Sequence, residues 1–163
     1  MKSPPENEIL FNSLIKENSR IINSVCYFYS SEIIPFEDLR QEVYINIWKG
    51  LEQFRSDSKA STWIYRVAIN TALMAIRTGK KRINTVPIDS IILNIYQETD
   101  NSQKDRIDAL DNLINKLDEI EKAVILLWLD EYSYEEIAET MGLKKSNVAT
   151  KIFRIKEKLS KLK

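Results

Sequence analysis

The stretch Ser133–Lys158, SYEEIAETMGLKKSNVATKIFRIKEK, decides the fold of this chain. Ser133 and Glu136 form the S-x-x-E pattern that opens a helix, because each side chain can satisfy a backbone N–H that the first turn leaves unpaired. Met141-Gly142-Leu143 then demands a sharp turn, with glycine where a helix stops. In the helix that follows, Val148, Ile152, Ile155, Leu159 and Leu162 recur at three- and four-residue spacing and predict a buried stripe. Asn147, Thr150, Lys151 and Arg154 fall on the other side. Ile137 and Ala138 face inward from the first helix, and the small Ala138 allows close approach. A short helix braced across a tight turn against a basic one is the geometry that carries side chains into the major groove of DNA.

Upstream, Leu110, Leu113, Ile114 and Leu117 mark one helical face, and Asp118 with Glu121 predicts a capped restart backed by Ile120, Val124, Leu127 and Trp128. Glycine occurs only at 50, 79 and 142, and proline only at 4, 5, 35 and 87. Each stands where a periodic apolar run starts or stops. Ile9, Leu10, Leu14, Ile21, Ile22, Val25 and Phe28 predict a first helix or a broken pair. Phe36, Leu39, Val43, Ile47, Trp48 and Leu51 predict a second, between Pro35 and Gly50. Trp63, Ile64, Val67, Ala68, Leu73 and Ile76 predict a third, ending at Gly79. Trp48, Trp128 and Tyr44 are assigned to the core. From residue 80 the helical period is lost. Basic Lys80-Lys81-Arg82 gives way, through Pro87, to polar and acidic Gln97–Ser102. The apolar patch Ile91–Tyr96 fits either a short helix or an extended segment ordered by a partner. The expected fold is all-α. Two small helical bundles, residues 6–80 and 106–163, are joined by a flexible linker over 81–105, and the second contains the helix-turn-helix.

Formal net charge is zero, so DNA binding has to come from local patches. From Lys144 onward, Lys144, Lys145, Lys151, Arg154, Lys156, Lys158, Lys161 and Lys163 face only Glu157 in sign. Arg77, Lys80, Lys81 and Arg82 form a second knot, while acid concentrates between Glu98 and Glu121. Such separation suits one face offered to phosphates and another to a basic protein. The chain has no histidine and a single cysteine, which removes zinc sites, catalytic triads and a disulfide framework. Cys26, in the apolar run Val25-Cys26-Tyr27-Phe28, reads as a small buried hydrophobe. No apolar run approaches a membrane span, and MKSPPENEIL lacks a signal-peptide pattern. The expectation is a cytoplasmic protein with no membrane insertion, no metal and no cofactor.

Two segments carry a family resemblance. FEDLRQEVYINIWKGLEQFRSDSKASTWIYRVAINTALMAIR (Phe36–Arg77) has an acid, then Gln-Glu, an aromatic-rich helix, a polar loop, Thr-Trp and Asn. LDEIEKAVILLWLDEYSYEEIAETMGLKKSNVATKIFRIKEKL (Leu117–Leu159) contains the helix-turn-helix. In this order and spacing they resemble the second and fourth domains of the extracytoplasmic-function (ECF) sigma factors of bacterial RNA polymerase. The resemblance implies a non-enzymatic initiation factor that binds core polymerase and recognises the −35 and −10 promoter elements. It implies that Asp38, Gln41 and Glu42 grip the coiled coil of the largest subunit's clamp. It implies that the loop Phe54–Thr62, with Arg55, Ser56, Asp57, Ser58, Lys59, Ser61 and Thr62, holds a base flipped from the −10 element.

On the third helix, Arg66 and Asn70 are one turn apart and would reach the opening DNA, and Trp63 is assigned to the core. Arg77, Lys80, Lys81 and Arg82 are the phosphate candidates. In the last helix Lys145, Ser146, Asn147, Thr150, Lys151 and Arg154 are the −35 candidates. Arginine and lysine suit guanine edges, asparagine suits adenine, and a threonine methyl suits thymine. Lys156, Lys158 and Lys161 are left to phosphates or solvent. An anti-sigma partner is a family-level expectation. One position departs from the family: Lys144 stands where a serine often caps the recognition helix, so Ser146 or Asn147 is expected to cap it instead.

Two other readings compete. A stand-alone regulator with an N-terminal sensing or dimerisation bundle explains the C-terminal half but not Phe36–Arg77. A metal-dependent helical-bundle enzyme would want carboxylates converging from several helices, usually with histidine. For each assigned side chain the plain alternative is a solvated helix face or an ordinary surface loop.

Overall fold

The computed structural model describes residues 2–57, 59–79 and 101–162, with the backbone alone at 101–104 and 107. The regular structure among them is helical. The chain divides into two compact units, Met1–Ile88 and Asp89–Lys163.

The first unit is built from α1 (Pro4–Glu17), α2 (Ser19–Tyr29), α3 (Phe36–Gly50) and α4 (Ala60–Gly79), with a 3₁₀ turn, Leu51–Gln53, after α3. The first apolar run is a broken pair. At Asn18 both the backbone N–H and the side-chain amide donate to the Leu14 carbonyl, at 3.1 and 2.8 Å. That carbonyl would otherwise be an orphan of the last turn, so the buried Asn18 ends one helix and starts the next. Pro35 precedes the first residue of α3, where its missing N–H costs nothing.

Helices α2, α3 and α4 pack on one another around Ile22, Val25, Val43, Ile47, Ile64 and Ala68, all fully buried. Burying each such aliphatic side chain is worth about 1.5–3 kcal/mol. A polar bolt crosses the α3–α4 seam. Asn46 Nδ2 donates to Thr71 Oγ1 at 2.9 Å, and Thr71 Oγ1 donates to the Val67 carbonyl at 2.7 Å.

The second unit contains α5 (Asn101–Ile114), α6 (Glu119–Leu129), α7 (Tyr134–Met141) and α8 (Lys145–Lys161). Both expected capping boxes are present. Asp118 accepts from the N–H groups of Ile120 and Glu121 while Glu121 accepts from that of Asp118; for α7, Ser133 accepts from the Glu136 N–H and Glu136 from that of Ser133. The unit closes on Ile114, Val124, Leu127, Ile137, Ile152 and Ile155. Among the described residues no helix is long and apolar enough to cross a membrane.

Several expectations are corrected. Trp48, assigned to the core, is 45% exposed, standing edge-on to Phe11 at 5.2 Å between ring centres. Ile9, Leu110 and Leu162, counted among apolar faces, are exposed. Each lies near a helix end or on the rim of its stripe, where fewer neighbours remain to cover it. Helix α5 already begins at Asn101, inside the stretch expected to be linker. Its polar first turn, Asn101–Lys104, hides a helix that no apolar stripe announces. Most of that stretch, with Arg82 and the Ile91–Tyr96 patch, lies outside the described residues.

Candidate nucleic-acid interface

The helix-turn-helix forms as the sequence demands. Gly142 adopts φ +66°, the left-handed conformation that lets α7 stop within one residue. Its N–H and that of Leu143 both donate to the Ala138 carbonyl. Helix α8 then starts at Lys145, with Lys144 as an extended N-cap that makes no side-chain bond. Neither Ser146 nor Asn147 caps it, because both already lie inside the first turn. With no side-chain oxygen over them, the first N–H groups of α8 are left to solvent or a ligand.

Val148, Ile152 and Ile155 are buried beneath α8. Lys145, Ser146, Asn147, Thr150 and Arg154 are exposed, and Lys151 is half-buried on the flank. Thr150 Oγ1 donates to the Ser146 carbonyl at 3.0 Å, so its hydrogen is used internally and its methyl remains for the surface. Lys145 is ion-paired with Glu135 of α7. The Lys145 ammonium bonded to Glu135 holds its carboxyl below the usual carboxylate range.

Two exposed cations of α8 are engaged by side chains of α6 within the unit. Lys156 Nζ sits 4.2 Å from the centre of the Trp128 ring, and Lys158 Nζ lies 3.0 Å from Glu121 Oε2. One residue that periodicity missed is Phe153, 62% exposed beside Arg154. An aromatic residue between cations, just off the Ile152–Ile155 stripe, was the available signal.

In the first unit Asp38, Gln41 and Glu42 are all exposed on α3, while Leu39 and Val43, next in sequence to Asp38 and Glu42, are buried. Asp38 and Glu42 also border a shallow groove of about 260 Å³, with Ile33, Ile34, Pro35 and Ala75 among its walls. On α4, Arg66, Asn70 and Arg77 are exposed at helical spacing and form one stripe.

The loop before α4 is held at its two ends by a ring pair, Phe54 and Trp63, whose centres are 4.8 Å apart. Gly50 makes room for it. A Cβ there would stand 2.9 Å from Trp63 Cζ2. Within the loop Arg55, Ser56, Asp57 and Lys59 are exposed, and Ser56 takes a positive φ of 50°. Helix α4 begins at Ala60, so Ser61 lies in the first turn and is half-buried. Thr62 is buried, which turns its side chain away from solvent. Ser58, Lys80 and Lys81 lie outside the described residues.

Residues 14–82 match the family described as Sigma-70 region 2, and residues 107–159 match Sigma-70, region 4. The chain is 28% identical over 164 residues to the ECF RNA polymerase sigma-E factor of Haemophilus influenzae, covering 90% of this chain and 84% of that protein. It is 29% identical over 160 residues to that of Escherichia coli K12, covering 90% and 83%. In fold it is similar to the sigma factor RpoE of Bartonella quintana, solved in complex with the anti-sigma factor NepR. That similarity has a TM-score of 0.70 at 19% identity and covers 93% of this chain and 95% of that one. The region 2 match accounts for the N-terminal bundle that a stand-alone regulator would leave unexplained. With both regions present in order over most of its length, the chain belongs to the ECF sigma factors, non-enzymatic proteins that bind core RNA polymerase and promoter DNA and direct transcription initiation.

Proposed function

We propose that this sigma factor divides its work between its two units. In the first, Asp38, Gln41 and Glu42 dock on a basic surface of core polymerase, where carboxylates and an amide suit arginine-rich partners. The loop residues Arg55, Ser56, Asp57, Ser58, Lys59 and Ser61, with Thr62 as its buried support, take up an unstacked base of the −10 element. Arg66, Asn70, Arg77, Lys80 and Lys81 line the DNA beside it. In the second unit Lys145, Ser146, Asn147, Thr150, Lys151 and Arg154, joined by Phe153, read the −35 element in the major groove. Two modules on one tether raise each other's effective concentration once both engage, so the free chain binds promoters weakly and the holoenzyme tightly. The chain acts in the cytoplasm, where polymerase and DNA are, and an anti-sigma factor that covers its contact faces would silence it.

One observation supports this reading above the others. On α3 and α8 assigned polar residues stand outside while their apolar neighbours in sequence are buried: Asp38 and Glu42 against Leu39 and Val43, Thr150 and Arg154 against Ile152 and Ile155. The test is reconstitution with purified core polymerase. Asp38→Arg abolishes polymerase capture while its circular dichroism and melting match the parent chain. Normal holoenzyme formation by that variant would remove α3 from the docking surface.

A further inference from the structure

We propose that Met74 is a specificity-determining residue for the downstream promoter box, making apolar contact with the 5-methyl group of a thymine. Met74 is 61% exposed, although it lies on α4, whose opposite side forms the centre of the first unit. It stands four residues after Asn70 and three before Arg77, so all three share the outward side of the helix. The helix remains regular through this point, with Thr78 Oγ1 donating to the Met74 carbonyl at 2.6 Å.

The exposed stripe therefore has an ordered composition: a guanidinium at Arg66, an amide at Asn70, a thioether at Met74 and a guanidinium at Arg77. A helix of this length presenting such a row to duplex DNA fits the major groove. The groove offers hydrogen-bonding edges and, as its distinct apolar group, the thymine C5-methyl. Asparagine has polar partners there, and an unbranched, polarisable methionine fits the methyl. The flanking cations hold the helix to the phosphates and so fix the register of the thioether on the base step.

This assignment rests on the proposed placement of the α4 stripe against the downstream box, and the two can fail separately. The probe is a promoter fragment selected from random duplex DNA by the reconstituted holoenzyme. It is remade with each thymine of the downstream box replaced in turn by deoxyuridine, which deletes only the methyl group. For the parent holoenzyme one such replacement weakens binding by about fourfold, the worth of one buried methyl. The Met74→Ala holoenzyme binds the thymine probe as weakly as the parent binds the deoxyuridine probe, and no longer distinguishes the two. Met74→Leu keeps most of the discrimination. Assembly with core polymerase, followed by gel filtration, is unchanged in both variants. If Met74→Ala retains the full thymine preference, or loses polymerase binding instead, the proposal is overturned. If Asn70→Ala and Arg77→Ala also bind the probe like the parent chain, the placement of α4 has failed as well.

Discussion

Lys145 and Glu135 form an ion pair that spans the turn between α7 and α8. Both side chains are well exposed and screened by solvent, so the pair contributes little to stability. Its larger consequence concerns DNA. A proposed contact of the recognition helix is neutralised by a carboxylate of the supporting helix, and a phosphate or guanine edge has to compete with it. Glu135→Gln removes the competitor without changing shape. The expected result is a two- to fivefold gain, roughly, in holoenzyme affinity for a −35 probe, with a steeper dependence of log affinity on log salt. Fluorescence anisotropy over a salt series measures both. Weaker binding by Glu135→Gln would mean that the carboxylate positions Lys145 for its contact.

The cations of α8 separate into two groups. Lys151 and Arg154 accompany the exposed Thr150 and Phe153, whereas Lys156 and Lys158 are held by Trp128 and Glu121. Arg154→Ala and Lys151→Ala should weaken −35 recognition, Arg154→Ala by about 1–3 kcal/mol if it pairs with a guanine. Phe153→Ala should lower affinity and relax preference at a thymine. Lys156→Ala and Lys158→Ala should instead cost about 0.5–1 kcal/mol of stability and leave promoter choice unchanged. Run-off transcription and urea unfolding on the same set of variants separate the groups. A promoter defect in Lys156→Ala equal to that of Arg154→Ala would break the division.

Most of the helices could be read from the chain because their boundaries are written locally. Pro35, Gly142 and the boxes at Asp118 and Ser133 each end or start a helix through backbone chemistry within a few residues. What the sequence hid was burial at the margins. Trp48 is apolar and in phase with its helix, yet nothing packs over enough of it to cover it. Met74 lies in the unbroken apolar run Ala72–Ile76, where periodicity cannot say which member faces out. The start of α8 carries no side-chain signal, since Lys144 supplies only its extended backbone as the cap. The partners of Lys156 and Lys158 come from α6, some 30 residues away in sequence, and are visible only once α6 and α8 pack.

Two helix ends in the second unit use the same left-handed residue with opposite chemistry. Gly142 has φ +66°, and Glu131, which ends α6, has φ +64° with Tyr132 N–H donating to the Leu127 carbonyl at 3.1 Å. For an L residue that conformation costs about 1–2 kcal/mol, and glycine avoids it. Glu131→Gly should therefore stabilise the unit by up to about 1 kcal/mol, after the greater freedom of glycine in the unfolded chain is subtracted. Gly142→Ala should destabilise by about 1 kcal/mol although its new methyl meets no atom within 4 Å. Thermal melts of both variants test the pair. A Gly142→Ala chain as stable as the parent would show that the turn tolerates a side chain, and the strain argument would fall.

Cys26 is fully buried on α2, and loss of solvation pushes its thiol from 9.0 up to about 12. Below pH 9 the thiol is protonated in both folded and unfolded chains, and stability is independent of it. Between pH 9 and 12 the unfolded chain releases the proton and the folded chain keeps it. The unfolded state then binds fewer protons, so stability falls as pH rises, by at most about 1.4 kcal/mol per unit. Lys122, whose ammonium burial pushes down, acts in the opposite sense as its folded form loses its proton first. Comparison with Cys26→Ala cancels that contribution. The parent chain should exceed the variant by a constant margin from pH 6 to 8.5, because the variant leaves a small cavity. That margin should then shrink by about 1–2 kcal/mol by pH 10.5. Urea unfolding at each pH gives the margin directly, and the rate at which a thiol reagent labels the single cysteine gives an independent measure of opening. A margin that stays flat through pH 10.5 would mean that the thiolate is tolerated inside the first unit.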